Sequence, residues 1–99
     1  MDRSNLANIL GDLGEHAEAR KQIELALESD LRQFGPDHPS VAVRRGNLAA
    51  VLYNLQDYPK ALAEIDLALD LFRRKLPAGH PHIRSAEGWR GDILKALGR

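Results

Sequence analysis

Four histidines are the side chains best suited to acid–base or metal chemistry here, because imidazole changes charge near neutral pH and ligates metals. They are His16, His38, His80 and His82. His38 and His80 stand forty-two residues apart, each directly before a proline, so they read as loop or capping groups. His80 and His82 flank Pro81, but a metal site there needs further ligands, and none is placed by sequence. Glu15, Glu18, Glu24 and Glu28 fall on the polar side of a helix rather than forming a paired acid and base in an apolar pocket. Gly11 and Gly14 are not followed by the Lys-Ser/Thr pair of a phosphate loop, and no Gly-x-Ser-x-Gly elbow occurs. With no cysteine, disulfides, thiolate metal sites and cysteine nucleophiles drop out together. We therefore expect neither an enzyme nor a cofactor.

Charge points the same way. Lys plus Arg number 14 and Asp plus Glu number 14, so no basic field exists to neutralise phosphates or anionic lipid. Nucleic acid and membrane surfaces are not expected partners. The clusters Arg44-Arg45 and Arg73-Arg74-Lys75 read as solvated helix faces. No apolar run approaches the roughly 18 residues that span a bilayer, and the N-terminus lacks a signal-peptide layout, which makes a cytoplasmic location the default.

The elements that would position any site repeat along the chain. Asn5-Leu6-Ala7 returns as Asn47-Leu48-Ala49, Leu25-Ala26-Leu27 as Leu67-Ala68-Leu69, and His38-Pro39 as His80-Pro81, each after forty-two residues. Apolar residues step by three and four throughout, as in Leu6, Ile9, Leu10 and Leu13 or Ala61, Ile65, Ala68, Leu69 and Phe72. Gly14, Gly35-Pro36 and Pro77-Ala78-Gly79 mark stops, whereas Asp37-His38-Pro39, Asp57-Tyr58-Pro59 and His80-Pro81 mark starts. The spacing predicts five helices, at about 3–14, 17–34, 39–55, 58–76 and 81–97, joined by short turns into antiparallel hairpins. The expected architecture is an all-α solenoid forming a single domain over 1–99: repeat one 1–38, repeat two 39–80 and a terminal helix 81–99.

HEAT and armadillo repeats share this range of periods, so the small residues decide. The second repeat reads Arg45-x2-Leu48-Ala49-x2-Leu52, then Ala61-x3-Ile65 and Ala68; the first reads Arg3-x2-Leu6-Ala7-x2-Leu10, then Ala19-x3-Ile23 and Ala26. This pattern resembles the tetratricopeptide repeat. The long period, the Asn-Leu-Ala opening and the Gly-Pro-Asp-His-Pro loop look like the forty-two-residue type of kinesin light chains. Arginine stands where the family has tryptophan, and the terminal proline is missing. Helix one lacks the turns that precede Asn47, so a piece of a longer array is expected. Arg90 takes the place of Leu6 and Leu48, which favours a solvating cap for the fifth helix over half of a third repeat.

The resemblance implies a right-handed superhelix whose first helices line a concave wall that binds a peptide or partner domain. Carried over by alignment, that wall holds Asn5, Asn8 and Asp12, with Ser4; Asn47, Ala50, Tyr53 and Asn54, with Val43; and Trp89 and Asp92, with Gly88 and Lys95. Asn5 and Asn47 either grip a peptide backbone or brace neighbouring helices. Trp89 either adds apolar binding area or plugs the end of the core. The wall lacks a basic clamp for a C-terminal carboxylate, since Lys95 stands alone. The alternative function is self-association: open apolar ends could join copies into a homo-oligomer.

Overall fold

The computed structural model describes residues 15–99, which form four helices in chain order: α1 Glu15–Phe34, α2 Pro39–Asn54, α3 Tyr58–Lys75 and α4 Pro81–Ala96. The expected helix at 3–14, carrying Ser4, Asn5, Asn8 and Asp12, lies outside the described residues. No strand occurs among those described. The boundaries differ from the sequence expectation by a residue or two. Glu15 and Glu18 in the first described turn of α1 suit the positive end of a helix dipole.

Helix starts repeat as faithfully as the sequence does. Proline opens α2 and α4, and the residue before it caps the helix through its side chain. His38 Nδ1 accepts the Ser40 amide at 3.0 Å, and His80 Nδ1 accepts the His82 amide at 3.0 Å. These histidines are thus consumed in capping, with the ring proton left on Nε2. Asp57, in the matching place before α3, makes no side-chain cap bond.

The ends of α1, α2 and α4 use left-handed backbone, whereas α3 runs into the extended residue Leu76. Gly35 (φ 82°) follows α1, and its amide bonds back to the Leu31 carbonyl at 3.0 Å. After α2 the left-handed residue is Gln56 (φ 63°), followed by a bond from the Asp57 amide to the Leu52 carbonyl at 2.9 Å. The same turn closes α4: Gly98 has φ 78° and the Arg99 amide reaches the Leu94 carbonyl at 2.9 Å. By register, Gln56 occupies a position that the chain otherwise fills with Gly14 and Gly98.

Packing follows from residue size. Ala42, Ala49, Ala61 and Ala68 are fully buried, so α2 and α3 approach closely, while Val41, Val51, Ile65 and Phe72 fill the space beside them. One core runs from Ala19 and Ile23 of α1 to Ile83, Ala86 and Ile93 of α4.

The arginines correct one expectation. Arg44 and Arg45 do not form a solvated face: Arg44 bonds Asp30 of α1 at 3.1 Å, and Arg45 bonds Glu64 of α3 at 2.9 Å, each pair only partly exposed. Arg45 thereby fills the family's tryptophan position with an ion pair. The Arg73-Arg74-Lys75 cluster is exposed, with Arg73 on Glu87 at 3.0 Å and Arg74 on Asp70 at 3.1 Å. Arg90 turns back onto α3 and meets Asp66 at 2.7 Å.

Candidate functional site

Two helices related by the repeat, α2 and α4, stand side by side and leave a cleft of about 200 Å³ between them. Val43, Gly46, Asn47 and Ala50 line it from α2, and His82, Ser85, Ala86 and Trp89 line it from α4. Each set has the i, i+3, i+4, i+7 spacing that puts four residues on one helix face. Ile65 and Phe72 of α3 form the floor.

Trp89 faces two ways. Its half-buried ring packs against the core and also borders the cleft. Tyr53 meets it edge-on, with centroids 5.7 Å apart, and Tyr58 in turn meets Tyr53 at 5.5 Å. This ladder ties the end of α2 and the start of α3 to α4. Aromatic edges set at such distances favour fixed geometry over free rotation.

Of the residues carried over by alignment, Asn47, Ala50 and Trp89 reach the cleft, together with Val43. Tyr53 adjoins it only through Trp89. Asn54 and Asp92 are exposed and stand outside its lining, as do Gly88 and Lys95. Asn47 is half-buried and already engaged in an interaction within the molecule. Sequence reasoning missed Gly46, His82, Ser85 and Ala86. The helical row that runs through Val43, Asn47 and Ala50 would have found Gly46.

The cleft owes its character to three substitutions in the repeat register. At the joint of α1 with α2, Asp30 Oδ2 accepts bonds from Ser40 Oγ at 3.0 Å and Arg44 Nε at 3.1 Å. Forty-two residues later the same positions hold Phe72, His82 and Ala86. There the Phe72 and His82 rings lie 5.3 Å apart. An apolar wall thus replaces a charged one, and among the described residues no Asp, Glu, Lys or Arg lines the cleft.

Among the described residues no group of three or more His, Cys, Asp or Glu could hold a metal ion. His80 and His82 rings lie 4.8 Å apart, but the Nδ1 atom of His80 is taken by the helix cap. His16 is half-buried in the first described turn of α1, and its buried Nδ1 has no hydrogen-bond partner among the described residues. No helix among the described residues is long and apolar enough to cross a membrane.

Antiparallel hairpins stacked in register, with alternate helices bordering a cleft, define a helical-repeat protein of the solenoid class. The family model of the tetratricopeptide repeat matches residues 3–74, and the chain belongs to that family. Repeats of this family generally mediate protein–protein interaction and are generally non-enzymatic. No curated protein matches the chain.

Proposed function

We propose that this chain is a protein-interaction module whose α2–α4 cleft receives a peptide or a segment of a partner domain. The carrying observation is the cleft itself, a concavity between two register-related helices, rimmed by an aromatic and, among the described residues, lined by no Asp, Glu, Lys or Arg. Aromatic groups on a partly exposed rim supply the rigid apolar area on which binding hot spots are built. Asn47 at the cleft edge supports a polar contribution, and we extend that role to Asn5, its counterpart forty-two residues earlier in the sequence. Asn8, Asp12, Tyr53, Asn54 and Asp92 would extend the contact beyond the cleft.

The finer family reading is the forty-two-residue, kinesin-light-chain-like type, supported by the matched capping histidines His38 and His80. We read α4 as a solvating cap on this array. At positions where α2 buries Ala42 and Leu48, α4 carries Arg84, exposed, and Arg90, half-exposed. A role as a cytoplasmic scaffold fits a charge-balanced, cysteine-free chain.

The test is a random-peptide display selection on the full chain, followed by titration of the winners. Binding should change the emission of Trp89, the chain's one tryptophan. Ser85→Arg, at an exposed position on the cleft, should keep the helical signal and abolish binding. Winners that tolerate Ser85→Arg and leave Trp89 emission unchanged would overturn the assignment.

A further inference from the structure

Resting on the cleft as the binding site, we infer that its occupant is an extended partner segment that inserts one uncharged apolar side chain, its main chain crossing Gly46. Three observations converge on this occupant.

Charge is the first. Of the cations beside lining residues in sequence, Arg44 pairs with Asp30 at 3.1 Å, Arg45 with Glu64 at 2.9 Å, Arg73 with Glu87 at 3.0 Å and Arg90 with Asp66 at 2.7 Å, while Arg84, beside Ser85, is exposed and stands outside the lining. A charged partner side chain entering between Phe72, Ala86 and Trp89 would lose its water and find no carboxylate, ammonium or guanidinium partner among the described lining residues, whereas an apolar one gains by burial. Size is the second. A volume of about 200 Å³ falls below the ~300–1,000 Å³ of small-molecule sites. It suits a single side chain with its backbone rather than a whole ligand.

Gly46 is the third. A glycine inside a helix weakens it relative to alanine, so its presence calls for a local reason. Among the described residues nothing lies within 4 Å of where a Cβ on Gly46 would sit. The same holds at Gly88 and Gly91 in α4, but of these three helical glycines Gly46 is the one that lines the cleft. Omitting the methyl group keeps the wall low enough for another backbone to approach. Ser85, exposed across the cleft, offers that backbone a hydroxyl that both donates and accepts.

The experiment uses peptides from the display selection, drawn from a library that encodes all residue types, and the full chain. The enriched consensus should centre on an aliphatic or aromatic residue with no Asp, Glu, Lys or Arg at the adjoining positions. Gly46→Ala should raise the melting temperature and yet weaken binding tenfold or more. Opposite signs of these two effects would separate a reserved approach from a folding defect. A charged consensus, or unchanged affinity in Gly46→Ala, overturns the inference even if Ser85→Arg still blocks binding and the cleft reading survives. Insensitivity to Ser85→Arg overturns both.

Discussion

The joint between α1 and α2 and the joint between α3 and α4 use the same backbone and register for opposite chemistry. In the first, Asp30 is 9% exposed and holds Ser40 and Arg44 in a hydrogen-bonded lock. In the second, Phe72 is 4% exposed and packs beside His82, with Ala86 where the arginine would be. Both joints begin with a proline-opened helix capped by a histidine. The comparison teaches that repeat geometry is set by helix ends and small core residues, which leaves the wall positions free to vary. The locked joint specifies alignment through directional bonds. The apolar joint provides burial and, by lacking the lock, a wall that another chain can wet or cover.

The sharpest way to break the comparison is to remove the dominant group from each joint and measure stability by chemical denaturation. Phe72→Ala deletes a buried ring and should cost about 3–5 kcal/mol. Asp30→Ala strands Arg44 and Ser40 at a partly buried site and should cost less, roughly 1–3 kcal/mol. The reverse order would mean that the lock, not the aromatic floor, carries the array. A smaller effect is expected at the caps. His38→Ala and His80→Ala should each cost about 1 kcal/mol, whereas replacement of either by Asn should be nearly neutral, since Asn also accepts the first-turn amide. Unequal losses at the two caps would show that the joints differ beyond their wall chemistry.

The smallest effect has the opposite sign. Gln56 holds a left-handed conformation that costs a non-glycine residue on the order of 1 kcal/mol. Gln56→Gly should therefore raise stability by about 0.5–1 kcal/mol, after allowance for the freer unfolded chain. A loss on that substitution, read by thermal melting, would mean that the Gln56 side chain contributes a contact worth more than the strain.

These positions also mark how far the sequence reaches. The helices were legible because apolar spacing, Pro-opened starts and the forty-two-residue interval all agree on them. His38 and His80 were legible as caps because they recur before a proline. The lock was not, because Asp30, Ser40 and Arg44 come together only when two helices cross at a particular angle, and no short spacing announces that. For the same reason Arg44-Arg45 read as a solvated pair although both side chains reach other helices. Alignment placed Asn54 and Asp92 on the two helices that border the cleft but could not set the rotation that turns one face of each toward it. Arg90 was legible as a departure from the leucine pattern, while its partner Asp66 depended on the packing of α4 on α3.

The central claim is that the uncharged cleft between α2 and α4 receives the partner. It is tested most directly by mapping backbone and indole chemical shifts of the full chain as a display-selected peptide is added. The account predicts that the largest changes fall on Gly46, Asn47, Ser85 and the Trp89 indole, with the exposed Leu25 and Leu67 unmoved. Changes centred on Leu25 and Leu67, with a silent Trp89, would contradict it.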